Sequence, residues 1–184
     1  MANSQRRAVV HIGHEKTGST ALQHALSRDS VALGKAGILL PRSPGKLNHT
    51  KLVAACLDDG AIDNLKSHQM AQRDLDEAGL RRRFLKHFNK ELANSKHWHT
   101  LLITSELITS RLQETSEVDR LLDLLRTQVD EVEIVLFLRR QDRLAVSRFS
   151  SALRSGYDNF DGVFADLSSR NFRQAGPDRV FDDA

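Results

Sequence analysis

The stretch "GHEKTGST" at residues 13–20 constrains the fold of this chain more than any other feature, because of the segments on either side of it. Before it, "AVVHIG" at 8–13 is short, apolar and rich in β-branched residues, which predicts a buried strand ending in a turn. After it, apolar residues recur with a helical period over 19–35, and Gly37 follows. The stretch is therefore predicted to connect a strand to the start of a helix.

Strands and helices alternate along the rest of the chain. Further strands are predicted at 37–41, 99–106 and 132–140, and helices at about 50–57, 74–93, 117–128 and 142–156. This order predicts an α/β fold of three layers, with a largely parallel central sheet and helices on both faces, as in P-loop NTPases. Ligands bind at the carboxyl ends of such strands. Residues 13–20, Ser105, Glu106, Arg139 and Arg140 are therefore expected on one rim.

Length and composition restrict the class of protein. A chain of 184 residues predicts one domain over 1–184. The net charge of +3, spread over many arginines, favours an anionic ligand and does not require nucleic acid, so we expect no nucleic-acid partner. The lone cysteine, Cys56, cannot close an intramolecular disulfide, and no Cys/His spacing suggests a metal. With no long apolar run near the N-terminus, we expect a cytoplasmic protein without a transmembrane segment.

The loop at 13–20 is predicted to bind phosphate through its backbone. Gly13 and Gly18 permit a tight turn, unpaired N–H groups at the helix start attract anions, and Ser19 and Thr20 add hydroxyls. The alternative is an ordinary connection with a Ser or Thr cap. In nucleotide-hydrolysing P-loops a lysine directly follows the second glycine, whereas here it stands at Lys16. Lys16 is expected to neutralise charge on a leaving oxygen; the alternative is a solvated lysine.

A second candidate lies in "LFLRRQDRLAVS" at 136–147. Arg139 is predicted at the tip of a central strand, and Ser147 follows eight positions later on the next helix. A guanidinium and a hydroxyl in these places can bind one phosphate together. The alternative is an arginine and a serine with no shared ligand, which are common at such places.

Together the two segments resemble the P-loop sulfotransferases, which use 3′-phosphoadenosine 5′-phosphosulfate as donor. In that family a loop of the form Lys-Thr-Gly-Ser/Thr-Thr binds the 5′-phosphosulfate, and it is matched by Lys16, Thr17, Gly18, Ser19 and Thr20. A strand-end arginine and a serine eight residues later bind the 3′-phosphate, matched by Arg139 and Ser147. The resemblance covers about residues 8–156. It implies that the lysine is displaced because the donor has no γ-phosphate.

The resemblance implies in-line transfer of a sulfuryl group to a hydroxyl or amine acceptor, without a metal. The acceptor would be a small molecule, a carbohydrate or a lipid. The family's base is a histidine or a glutamate, which points first to Glu106 and then to His49. Glu106 could instead cap the following helix, and His49 could be a surface residue.

Two alternatives to a sulfotransferase stay open. A P-loop kinase or nucleotidase with a displaced lysine would bind MgATP, using Glu106 near the metal. A sulfotransferase-like protein could also bind a nucleotide without turnover, because residues 157–184 contain no convincing equivalent of the family's basic C-terminal loop and are expected to be divergent or incomplete. His11 is interpreted as a core or rim histidine, "HWH" at 97–99 as a strand start, and "RRR" at 81–83 as a solvated helix face.

Overall fold

A computed structural model describes residues 5–154 and 156, and in this part of the chain the strands form one parallel sheet. Its strands are β1 (Arg7–His11), β2 (Ile38–Leu39), β3 (Thr100–Thr104) and β4 (Glu131–Val135). They lie in the order β2-β3-β1-β4, and every pairing is parallel. The α/β class and the parallel sheet are therefore confirmed, and the arrangement is consistent with a three-layer fold of the P-loop type.

The helices lie between and after these strands. They are α1 (Ser19–Arg28), α2 (Ser30–Lys35), α3 (Thr50–Cys56), α4 (Asn64–Ala71), α5 (Glu77–Asn94), α6 (Leu107–Arg111), α7 (Thr115–Arg126) and α8 (Gln141–Arg154). In the described part of the chain, no helix is both long and apolar enough to cross a membrane.

The hydrophobic core lies between the sheet and the helices α3, α5 and α7. Leu101 and Ile103 of β3, Phe88 of α5 and Leu125 of α7 are fully buried in it. Leu52 of α3 is also fully buried in this core. The core fixes the helices around β1, the strand that precedes the candidate phosphate loop.

The central position of β1 determines where the site can form. His11, the last residue of β1, aligns with Thr104 of β3 on one side and with Val135 of β4 on the other. Three strands therefore end at one level. The loop after β1 lies between Ser105, which follows β3, and the segment that follows β4, so the predicted common rim is confirmed.

The helix predicted over 19–35 is instead two helices, α1 and α2, which meet at Asp29. Asp29 leaves the helical conformation with φ −92° and ψ 11°. Its carboxylate accepts a bond from the Arg28 guanidinium at 3.1 Å and does not cap α2. Short polar residues such as Asp and Ser compete with the helical backbone for hydrogen bonds, which explains a break at this position.

The strand predicted over 132–140 is shorter than its apolar run. β4 ends at Val135, which aligns with His11, the last residue of its partner β1. After Val135 the chain continues beside the loop that follows β1, without regular secondary structure. There the Phe137 carbonyl accepts a 3.4 Å hydrogen bond from the N–H of His14. Arg139 is therefore in the connection to α8 and not at the tip of a strand.

Candidate functional site

An open cleft of about 380 Å³ lies at the carboxyl ends of the strands. Its lining comes from the loop after β1, the start of α6, the segment after β4 and the helix α8: Glu15, Lys16, Gly18, Ser19, Thr20, Glu106, Arg139 and Ser147. Both predicted phosphate-binding segments and one of the two predicted bases therefore share one cleft. Gly13, Thr17 and His49 are outside its lining.

The loop turns tightly by using the left-handed region of backbone space twice. Gly18 has φ 96°, which a glycine adopts without steric cost, and Lys16 has φ 66°, which is unfavourable for a residue with a side chain. The His14 carbonyl accepts bonds from the N–H of Thr17 at 3.3 Å and from the Thr17 hydroxyl. Thr17 thus supports the turn, and the side chain of Lys16 is left exposed at the cleft.

The start of α1 carries no side-chain cap. Gly18 occupies the cap position, and Ser19, the first helical residue, is 4% exposed and bonds to none of the helix N–H groups. The first N–H groups of a helix have no partner within the helix, so they attract an anion together with the helix dipole. The Ser or Thr cap that the alternative expected is therefore not present at this helix start.

Gly13 lets the loop pack directly on the histidine beneath it. A Cβ at Gly13 would lie 2.6 Å from Nε2 of His11 and 2.9 Å from Oγ of Ser19. The His11 ring is held by a 2.9 Å hydrogen bond to Thr104 and an edge contact with Phe137. Burial lowers the pKa of His11, and the nearby Glu106 charge partly opposes this shift. His11 is therefore a buried histidine under the loop, as the sequence indicated.

The loop and the segments packed on it carry two cationic side chains, Lys16 and Arg139. Nη1 of Arg139 donates to the carbonyl of Lys16 at 2.7 Å, and Nζ of Lys16 donates to Oγ of Ser151 at 2.7 Å. Within the described residues, neither side chain has a carboxylate at ion-pair distance. Ser151 was not predicted as a site residue, although it lies four positions after Ser147 and therefore on the same side of α8. No carboxylate of the described residues neutralises the positive charge at the loop.

Glu106 is held at the cleft by two amide groups. Its Oε2 accepts a 2.6 Å bond from Gln23 of α1, and its Oε1 accepts a 3.2 Å bond from Asn48. Asn48 is itself fixed by the hydroxyl of Ser105, which donates to its Oδ1 at 2.5 Å. Glu106 occupies the N-cap position before α6, but its side chain makes no capping hydrogen bond to that helix. The carboxylate is thus held at the cleft by the two amide groups and is not used as a cap.

His49 is buried and does not reach the cleft. It is 1% exposed, its Nδ1 accepts a 3.2 Å bond from the N–H of Thr104, and its own N–H donates to the Thr104 carbonyl at 3.1 Å. Burial lowers the pKa of His49 to about 4, which the carbonyl of Pro41 and the charge of Glu91 offset only in part. Among the described residues, Nε2 has no partner within hydrogen-bond geometry. Of the two predicted bases, only Glu106 lines the cleft, and the alternative of a surface histidine is wrong.

Sequence reasoning missed four residues that shape this site. Gln23 and Asn48 orient Glu106, Ser151 holds Lys16, and Glu15 contributes a carboxylate whose Oε1 is buried without a hydrogen-bond partner. Only Ser151 carried a usable signal, its spacing from Ser147. The part of the prediction that concerns 157–184 lies outside the described residues.

No family model, curated protein or solved structure matches this chain. In the described residues, no group of three or more His, Cys, Asp or Glu side chains could hold a metal ion. An assignment of function therefore depends on the geometry of the cleft together with the resemblance of its two motifs.

Proposed function

We propose that this protein is a sulfotransferase that moves a sulfuryl group from 3′-phosphoadenosine 5′-phosphosulfate to a hydroxyl or amine. The observation that carries the proposal is that Lys16, Arg139 and Ser147 line one cleft beside an uncapped helix start. The two motifs are more than a hundred residues apart in the sequence. They nevertheless line the same cleft, where one donor molecule could contact both of them. The single cysteine leads us to include a cytoplasmic location in the proposal.

The donor carries anionic groups at two places, and the residues of the cleft fit this distribution. The first-turn N–H groups of α1, with Lys16 and Thr20, suit the 5′-phosphosulfate. Arg139 and Ser147 suit the 3′-phosphate, since a guanidinium and a hydroxyl supply several directed donors. A volume of about 380 Å³ is within the range of small-molecule sites. Two lining residues, Glu15 and Glu106, carry charges that oppose this ligand, and Glu106 is assigned to the acceptor.

The cleft residues divide the transfer step between them. As the acceptor oxygen or nitrogen bonds to sulfur, the bond from sulfur to the donor's phosphate oxygen breaks. Lys16 would neutralise the charge on that leaving oxygen, and the Glu106 carboxylate would take the acceptor's proton. The bonds of Glu106 to Gln23 and Asn48 would keep its carboxylate at the cleft during this step.

A thermal-shift assay tests the choice of ligand. Adenosine 3′,5′-bisphosphate at about a hundred times its Kd is expected to raise the Tm by about 5–10 °C. In Lys16→Ala and Arg139→Ala the rise is expected to fall to about half or less, because each loses a charged contact to the ligand. Arg140→Ala is the matched control, since Arg140 is exposed and pairs with Asp142 at 2.6 Å. A larger shift with MgATP than with the bisphosphate would favour the kinase or nucleotidase alternative and contradict the proposal.

Removal of the Glu15 charge is expected to strengthen binding. Glu15→Gln should lower the Kd for adenosine 3′,5′-bisphosphate by about fivefold, because a carboxylate beside an anion costs roughly 1 kcal/mol. Isothermal titration calorimetry measures this change directly. Glu131→Gln, at the exposed opposite end of β4, is the control and should leave the Kd unchanged. Weaker binding in Glu15→Gln would show that the carboxylate has a structural or ligand-binding role.

A further inference from the structure

A second concave site lies among α3, α4 and α5, away from the cleft described above. It is a groove of about 230 Å³ and shares no lining residue with the cleft. Lys51 of α3, Arg83 of α5 and Arg73, which follows α4, contribute cationic side chains to it. His87 lies on the same side of α5, one turn after Arg83. The groove therefore collects basic groups from separate elements of the fold.

Among the described residues, the cations of this groove differ from their neighbours because they have no acidic partner. On α5, Arg81 pairs with Asp59 at 2.8 Å and Arg82 with Asp76 at 3.9 Å, whereas Arg83 makes no ion pair with any described residue. Arg82 and Arg83 are exposed and Arg81 is partly exposed, which agrees with the solvated helix face predicted for 81–83. Of the three arginines, only Arg83 lines the groove.

Arg73 and Lys51 are half-buried, and their charges also lack a carboxylate among the described residues. Nη1 of Arg73 donates only to neutral oxygens, at 3.2 Å to Oε1 of Gln69 and at 3.4 Å to Oε1 of Gln72. Neutral partners satisfy N–H groups of Arg73 but leave its charge available to an anionic ligand.

The carboxylate of Glu91, next to the groove residue Ser43, is already occupied. Glu91 of α5 accepts the backbone N–H groups of Arg42 and Ser43, each at 2.7 Å. Ser43 lines the groove, and its buried hydroxyl has no hydrogen-bond partner among the described residues. The groove therefore offers a free hydroxyl and several positive charges, with no free carboxylate among the residues that line it.

The floor of the groove is apolar. Leu80 and Phe84 of α5 line it, and both are at least nine-tenths buried. A bare inorganic anion would leave this apolar surface without a contact, whereas an anion with an apolar body would cover it. The small volume restricts that body to about the size of a single ring.

We propose that this groove is a binding site for a small organic anion, an apolar body that carries one phosphate, sulfate or carboxylate group. The anionic group is bound by Arg73, Arg83 and Lys51, and the body packs on Leu80 and Phe84. The site does not depend on the sulfotransferase proposal, because it uses none of the residues of the cleft.

Phenyl phosphate is the probe, followed by amide chemical shifts of the labelled full-length chain. The amides of Lys51, Gln69 and His87 are expected to shift. Arg73→Gln and Arg83→Gln should each raise the Kd about tenfold, because each loses a charge-assisted contact. Arg82→Gln is the matched control, since Arg82 is exposed, lies on the same helix and does not line the groove. It should leave the Kd within about twofold.

Three comparisons make the result decisive. Inorganic phosphate should bind more weakly than phenyl phosphate, and benzyl alcohol should cause no shift at these amides. Lys16→Ala should leave the groove's Kd unchanged, so that a failure of this site and a failure of the cleft are separate results. Equal binding of benzyl alcohol, an unchanged Kd in both arginine variants, or shifts confined to the amides of residues 16–20 would each overturn the proposal.

Discussion

Glu106→Gln is expected to lower kcat for sulfuryl transfer by about 10²- to 10⁴-fold, the usual contribution of a general base. The substitution keeps the size of the side chain but removes its ability to accept the acceptor's proton. The Kd for adenosine 3′,5′-bisphosphate should stay within a few-fold, because Glu106 is proposed to act on the acceptor and not on the donor. A drop in kcat with unchanged donor binding is the signature of an interaction made only in the transition state.

The measurement does not require a known acceptor. Slow hydrolysis of the donor, with water as the acceptor, can be followed by the release of sulfate. Glu15→Gln is the matched control, because Glu15 is the other carboxylate in the cleft, and it should retain the kcat of the unchanged chain. Retention of full kcat in Glu106→Gln would reject the assigned base. Tight binding of the bisphosphate without sulfate release or transfer to a panel of alcohols and amines would favour the non-catalytic alternative.

Acidification is expected to destabilise the fold through His49. The folded pKa of about 4 is below the 6.5 of an unfolded histidine, so between these values the unfolded chain binds more protons. Stability is therefore highest above pH 6.5 and is lost as the pH falls towards 4. The shift corresponds to about 3 kcal/mol of unfolding free energy in total. Burial of His11 adds a contribution of the same sign.

Urea denaturation at pH 4 to 7 measures this dependence. His49→Gln cannot titrate, so the difference in unfolding free energy between the two ends of that range should shrink by about 3 kcal/mol. A lower stability of the variant at every pH does not affect this comparison of slopes. His24→Gln is the control, because His24 is exposed on α1, and it should keep the original slope. An unchanged slope in His49→Gln would mean that His49 takes up protons in the folded state.

The sequence was sufficient to predict the sheet and the rim on which the cleft lies. Short β-branched runs separated by helical periods can be explained by few folds other than a parallel α/β sheet, so the placement of Gly13, Ser105 and Arg139 on one side of the sheet followed from topology. Their geometry in detail did not follow. The end of β4 depends on where its partner β1 ends, and no pattern within 132–140 contains that information.

Tertiary contacts explain the remaining differences. The burial of His49 arises because the backbone of Thr104 is free to pair with it at the end of β3, which periodicity cannot reveal. The contacts of Glu106 come from the amide side chains of Gln23 and Asn48. Neither residue belongs to a motif whose spacing would predict a contact with Glu106. Motif positions were thus predictable because chemistry restricts their residue types, whereas the residues that support them were not.

The contact between Arg139 and the Lys16 carbonyl gives one side chain two duties. A guanidinium has five N–H groups in a rigid plane, and a single one of them is used to brace the neighbouring turn. The remaining four can point elsewhere at the same time. An ammonium group has no such plane. A lysine at position 139 would therefore retain the charge but lose either the hydrogen bond to the Lys16 carbonyl or the proposed contact with the ligand.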